Sequence, residues 1–265
     1  MKKSFTDQLG SLVDIKFPPK RVISLVPSQT ELLFDLGLDS EIVGITKFCI
    51  HPAEKVRDRT KIGGTKKVNL ELIRSLKPDI IIGNKEENTK EDIEALREEF
   101  PVWMSDVCTL EQAMDMITQM GELFNRQPES AYINHLIQAG FTDLRELASR
   151  YALNKKVAYL IWKEPYLFAG RDTFINHVLE YAGFSNVVSV PRYPELSIAA
   201  LSELAPDVLF LSSEPYPFQE KHKVELQSLL PQAQICLVDG EMFSWYGSRL
   251  IRTVEYLFHL QQDFK

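Results

Sequence analysis

The feature that most constrains this chain is a pattern that occurs twice. Residues 72–83 read LIRSLKPDIIIG and residues 200–211 read ALSELAPDVLFL. Each is a helical segment, a short turn, a Pro-Asp pair and an apolar run. Proline cannot continue a helix and turns the preceding residue away from helical geometry. A short unbroken apolar run behind such a stop is the mark of a strand buried on both faces. The duplication is of architecture more than of identity, and it implies two similar α/β lobes, each with a parallel sheet.

The stretch separating the repeats supplies the connection. Pro128 suits a first helical turn, and from there to Tyr151 only Gly140 weakens the helix. Tyr132, Ile133, Leu136, Ile137, Phe141, Leu144, Leu147 and Ala148 recur at helical spacing. Roughly 23 residues at 1.5 Å each make a rod of about 35 Å, enough to connect two lobes. The predicted organisation is an N-terminal α/β lobe over 1–127, a linking helix over 128–151 and a C-terminal α/β lobe over 152–265. The fold class is two Rossmann-like lobes with parallel sheets, one long backbone helix and a ligand cleft between the lobes. Open α/β sheets bind ligands beyond the carboxyl ends of their strands, and two such edges facing each other make that cleft.

Local signals fill in the lobes. Residues 11–16 alternate like an edge strand of a hairpin, and residues 21–26 read as a buried strand. A helix opens at Pro27, with Ser28 or Thr30 as cap and Glu31 at the positive end of its dipole, and stops at Gly37. Asn69 caps the next helix. Residues 91–100 read as a solvated helix and residues 156–161 as a strand.

Composition bounds the function. Of 265 residues, 45% are hydrophobic and 25% charged, which fits a globular chain. A net charge of −7 repels phosphate backbones, so no nucleic-acid partner is expected. Cys49, Cys108 and Cys236 form no CxxC pair and read as free and mostly buried, with one disulfide open to an exported chain. Met1-Lys2-Lys3 is not followed by an apolar signal-peptide core. The location is therefore periplasmic or cell-surface if a leader has been removed, and cytoplasmic if the chain is complete as written.

Neither a phosphate-binding glycine loop, a nucleophile elbow nor an HExxH helix is written here. No catalytic or metal-ligating set is expected, and the chain is read as a binder rather than an enzyme. His135, His177 and His259 fall on helices, and His222 in a charged, solvated stretch. His51 follows a strand end, where a structural role and a ligand contact both stand. Residues 85–92 read as a solvated loop and helix start whose first residues rim the cleft. Trp162, Tyr166 and Phe168, then Tyr193, then Met242, Phe243, Trp245 and Tyr246 sit in connections after strand ends, with Arg249 on the next turn. Such aromatics either fill a core or line a cleft for a flat organic ligand.

The order of motifs resembles a known family. Thr6-Asp7 with Leu9-Gly10, residues 18–25, residues 27–32, residues 68–71, Lys77-Pro78-Asp79, Phe168-Ala169-Gly170, residues 176–180 and Ala205-Pro206-Asp207 are similar to the cobalamin- and siderophore-binding proteins of ABC importers, the periplasmic binding proteins with a helical backbone. The cobalamin-binding branch is most similar. The resemblance covers nearly the whole chain and implies a substrate-binding protein for a metal chelate: a cobalamin, a ferric siderophore or a haem-like tetrapyrrole, with no covalent cofactor. It implies ligand aromatics at Phe48 and Tyr193 and an aromatic beside the cleft at Phe168. Further cleft aromatics of the family fall near Thr65 and Asn84. The family docks on its permease through one glutamate per lobe; the first falls on Glu71 and the second on Ala199. The ligand-binding set is thus Phe48, His51, Asn84, Phe168, Tyr193, Trp245, Tyr246 and Arg249, with Glu71 for docking on an ABC permease and a monomer as the working state. The competing readings are a soluble intracellular carrier without a permease, and an enzyme using the cleft.

Overall fold

The computed structural model describes residues 1–151 and 153–264. The chain divides into two compact units. The first comprises Met1–Val107, Glu111–Leu136 and Tyr246–Arg249, and the second Cys108–Leu110, Ile137–Trp245 and Leu250–Lys265. Ala152 and Lys265, the ends of the expected C-terminal lobe, lie outside the described residues.

The first unit opens with an antiparallel hairpin, β1 (Lys2–Thr6) and β2 (Leu12–Lys16), as its alternation predicts. There follow β3 (Val22–Ser24), α1 (Pro27–Asp35), β4 (Ile42–Ile45), α2 (Ala53–Val56), α3 (Leu70–Leu76), β5 (Ile80–Asn84), α4 (Lys90–Arg97), β6 (Val102–Ser105) and α5 (Leu110–Phe124). Four of the strands form a sheet ordered β4-β3-β5-β6, parallel throughout. Ile23, Ile81 and Met104 of the sheet join Ile62, Ile73, Ile93 and Leu96 in one apolar core. A Cβ on Gly44 would meet Ile62 and Leu76 at 3.0 Å, so β4 needs a glycine where α3 comes close.

Some local expectations change in this unit. Neither Ser28 nor Thr30 caps α1: Val26 is the N-cap, Pro27 is the first helical residue, and no side chain caps it. Thr30 Oγ1 instead lies 2.9 Å from Val26 O and 2.7 Å from Ser24 Oγ, inside the unit. Glu31 lies beyond the first turn of α1 and pairs elsewhere. Asn69 does cap α3, accepting from the Leu72 amide at 3.0 Å. The helix α4 is solvated on one face only, because Ile93 and Leu96 are buried.

The long helix α6 spans Gln127–Arg150, and the division into units falls within it, after Leu136. Its buried stripe is Ile133, Ile137, Phe141, Leu144 and Ala148.

The second unit continues with β7 (Lys156–Trp162), β8 (Leu167–Phe168), α7 (Phe174–Tyr181), β9 (Ser185–Asn186), α8 (Ile198–Glu203), β10 (Val208–Ser212), α9 (Glu220–Leu229), β11 (Gln234–Val238), α10 (Glu241–Ser244) and α11 (Leu250–Gln262). Gly140 of α6 lets α11 approach, since a Cβ there would meet Val254 at 2.8 Å. The sheet runs β11-β10-β7-β8, with β9 also on β7. All pairs are parallel except β7 with β8. That antiparallel pair departs from a purely parallel expectation for a simple reason: four residues join the two strands, too few for a crossover. His222 also differs from its solvated reading. It is buried and closes the start of α9, its Nδ1 accepting from the Gln219 amide at 2.9 Å. Burial and Lys221 together hold its pKa below the usual histidine range.

The repeated Pro-Asp turn has one job in both units. Lys77 and Ala205, just before the prolines, both adopt left-handed backbone. Asp79 accepts from the Lys20 and Arg21 amides at 2.8 and 3.0 Å, at the mouth of β3. Asp207 accepts from the Lys156 amide at 2.8 Å, at the mouth of β7. Each aspartate thus ties a helix-to-strand turn to the start of the neighbouring strand.

Candidate functional site

In the first unit the carboxyl end of β4 opens into residues 46–52. Cys49 anchors this loop: it is buried, and its sulfur lies 3.1 Å from Thr30 Oγ1 and 3.2 Å from Thr46 Oγ1. Burial pushes its thiol pKa up, which suits an anchor more than a nucleophile. The residues either side point out of the core: Phe48 is 50% and Ile50 48% exposed. Lys47 Nζ stands 5.0 Å from the Phe48 ring centroid. His51 is half-buried on the same loop.

The carboxyl end of β5 is built by Asn84. It is buried, donates to Ser105 O and Oγ at 3.1 and 2.9 Å, and accepts from the Glu86 and Glu87 amides at 2.8 and 3.1 Å. Asn88 completes the turn, accepting from the Asn84 amide at 2.8 Å and donating to Thr65 O at 3.0 Å. Asn84 is therefore a frame residue whose amide group is spent on the turn. Glu87 is half-buried beside it, and burial raises its carboxyl pKa against the pull of Lys66.

Arg249 is likewise engaged within the first unit. Its Nε and Nη2 each lie 2.8 Å from a Glu31 carboxylate oxygen, with side chains 3% and 6% exposed. The forked geometry is that of a strong charge-assisted pair. Gly247 lies so close to α1 that a Cβ would come within 3.0 Å of Ser28 O. Tyr246 is buried. Glu71 is the most open of the expected residues, its side chain 85% exposed and 2.5 Å from Arg74.

In the second unit, Tyr193 is half-buried on a loop held against residues 168–171. Phe168 N donates to Pro194 O, Gly170 N to Arg192 O and Arg192 N to Arg171 O. Gly170 is required there, since a Cβ would overlap Val190 O. The Arg192 guanidinium sits 5.7 Å from the Tyr193 ring centroid. Phe168 has no exposed surface and belongs to the core with Leu160, Leu201 and Leu211, so its ring backs the loop rather than offering a contact. Phe243 is core as well, 5.0 Å from Tyr159.

Beyond β10 and β11 lies a polar network that sequence reasoning missed. Trp245 Nε1 and Ser244 Oγ donate to the same oxygen of Glu214 at 2.9 and 2.8 Å. Tyr159 OH donates to Ser212 Oγ at 3.1 Å, and burial pushes that phenol well above the ordinary tyrosine range. Ser212-Ser213-Glu214, polar residues directly after the apolar strand 208–211, were the available signal. Trp245 itself is only 7% exposed.

Among the described residues, no group of three or more His, Cys, Asp or Glu could hold a metal ion. Nor, among them, is any helix long and apolar enough to cross a membrane. Two α/β units on mainly parallel sheets, with Phe48 half exposed in the loop at the carboxyl end of β4, fit a ligand-binding class. Residues 22–232 match the Periplasmic binding protein family, and the chain belongs to it. It is 28% identical over 202 residues to a vitamin B12-binding protein of Vibrio campbellii, covering 74% of this chain and 71% of that one. Among solved structures it is similar to the periplasmic vitamin B12 binding protein BtuF of Vibrio cholerae, at TM-score 0.79 and 22% identity over 94% of this chain and 98% of that one. It is also similar to the periplasmic haem-binding protein RhuT of Roseiflexus sp. RS-1, at TM-score 0.80 and 22% identity over 92% and 97%. At such identities the structural likeness speaks for the fold.

Proposed function

We propose that this chain is the substrate-binding protein of an ABC importer for a flat metal chelate, a cobalamin, a haem-like tetrapyrrole or a ferric siderophore. The observation that carries the reading is Phe48, a large aromatic left half exposed at the carboxyl end of an open parallel sheet. Phe48, His51 and Tyr193 are the chain's ligand contacts. Trp245, tied to Glu214, and Tyr246 are buried and back the site rather than line it. Asn84, Phe168 and Arg249 act one step back, as frame, because hydrogen bonds, core contacts and an ion pair already occupy them. The ligand is carried rather than converted, and needs no covalent cofactor. The protein works as a monomer outside the cytoplasmic membrane, and Glu71 is its docking contact to the permease in the first unit. The kinship with a vitamin B12-binding relative supports the ligand class.

A thermal-shift screen against cyanocobalamin, hemin and a ferric catecholate tests this. A ligand at a hundred times its dissociation constant adds about 2.7 kcal/mol of stability. A clear rise in Tm with one of the three is expected; no shift with any of them contradicts the proposal.

A further inference from the structure

Phe48 is not alone on its loop. Two residues on, Ile50 leaves 48% of its surface to solvent, and Cys49 between them is buried. Single exposed apolar residues are ordinary on a protein surface. Two large ones flanking a buried anchor, at the end of a parallel strand, are a different arrangement.

The loop is also held in place. Lys47 N donates to Gly63 O at 2.8 Å, and Ile62 N to Ile45 O at 2.9 Å. Cys49 N donates to Thr46 O at 3.2 Å, and its sulfur meets two threonine hydroxyls. The turn at Gly63-Gly64 runs beside the ring of Phe48. A Cβ on Gly64 would lie 3.2 Å from Phe48 Cε2 and 3.6 Å from Lys47 Cε. Unlike Gly63, whose φ is +114°, Gly64 is outside the left-handed region, so its backbone does not require glycine. The tight neighbour is the ring, which would have to shift by a few tenths of an ångström to admit a Cβ. A bare Cα there leaves room for Phe48 to settle, with Lys47 over the ring.

We propose that Phe48 and Ile50 together form a pre-set apolar platform for the planar face of the transported chelate, with Ile50 a further ligand contact and Gly64 the positioning residue that seats the Phe48 ring. The inference rests on the substrate-binding reading and names the surface that receives the ligand. A platform already ordered by its neighbours loses little freedom on binding, and its apolar faces reward a flat organic ligand more than a strongly hydrated one.

The test uses the full chain and whichever of cyanocobalamin or hemin the parent binds, followed by ligand-induced fluorescence quenching. Ile50 and Phe48 are exposed, so Ile50→Asn and Gly64→Ala should keep the parental Tm. Ile50→Asn should weaken binding about tenfold, equivalent to 1.4 kcal/mol. Gly64→Ala should weaken it about threefold, and that effect should vanish in a Phe48→Ala background, because the glycine acts through the ring. Parental affinity in Ile50→Asn overturns the platform and leaves the substrate-binding reading intact. A Gly64→Ala effect that persists without Phe48 overturns the seating role. A parent that binds neither probe, nor the ferric catecholate, removes the ligand assignment itself. A parent that binds normally, with Ile50→Asn impaired only in capture of a protein partner, reassigns the surface to docking and overturns the proposal.

Discussion

The two units share their turns and differ at their strand ends. Lys77-Pro78-Asp79 and Ala205-Pro206-Asp207 each have a left-handed residue, then a proline, then an aspartate reaching back to a strand mouth. Past the carboxyl ends of the strands the likeness stops. The first unit is fastened by a buried charge pair, Glu31 with Arg249, and leaves Phe48 and Ile50 outside. The second fastens Trp245 inward, on a carboxylate that accepts from neutral donors. A repeated frame thus carries unrepeated loops.

The charge pair should respond most to mutation. Arg249→Ala strands Glu31 in a dry site and is expected to cost about 3–5 kcal/mol, measured by urea denaturation. Replacing the pair with apolar residues, Glu31→Leu with Arg249→Met, should restore most of that loss. The carboxylate of the second unit should behave differently. Glu214→Gln keeps an oxygen able to accept from Trp245 and Ser244, so its cost should stay under about 1 kcal/mol. An equal loss in Arg249→Ala and Glu214→Gln would erase the contrast.

The shared turns sharpen the comparison from the other side. Asp79 serves two backbone amides and Asp207 one. Asp79→Ala should cost about 2 kcal/mol and Asp207→Ala about 1 kcal/mol in the same denaturation experiment. The reverse order would mean that the two turns are not equivalent parts.

Glu87 gives the smallest effect, and its sign is fixed. Burial raises its pKa in the folded chain above the unfolded value. Such a carboxyl favours folding while protonated, and that contribution is lost as pH rises from the ordinary glutamate range through the raised value. Glu87→Gln should therefore be more stable than the parent at neutral pH. The gap should close as pH falls below the ordinary glutamate range. A gap independent of pH would show that the carboxyl's charge is not the cause.

These contrasts also explain what the sequence could reveal. Pro-Asp turns, the Asn69 cap, the left-handed Gly37 and the α6 stripe are local, and their residues carry the signal within a few positions. The helix expected over 128–151 spans Gln127–Arg150, a difference of the size that helix ends ordinarily show. Long-range pairings were not legible. Arg249 finds Glu31 across 218 residues, and no spacing rule connects them. Separation along the chain also hid why Asn84 and Phe168 are frame: their partners, Ser105 for the one and Leu201 and Leu211 for the other, come from other elements. Ser28 and Thr30 looked like caps because their type suits capping, but Pro27 had already taken the first helical position. Phe48 and Tyr193 entered through family resemblance. That Phe48 is half exposed and Tyr193 half buried is information only the fold supplies.

The central proposal is that Phe48 and Tyr193 are ligand contacts for a flat chelate. It is tested most directly by titrating parent and Phe48→Ala/Tyr193→Ala with the chelate that raises the parent's Tm. We expect the double variant to bind at least about a hundredfold more weakly, roughly 2.7 kcal/mol, with its unliganded Tm lowered far less than a core substitution would lower it. Undiminished affinity in the double variant would contradict the account.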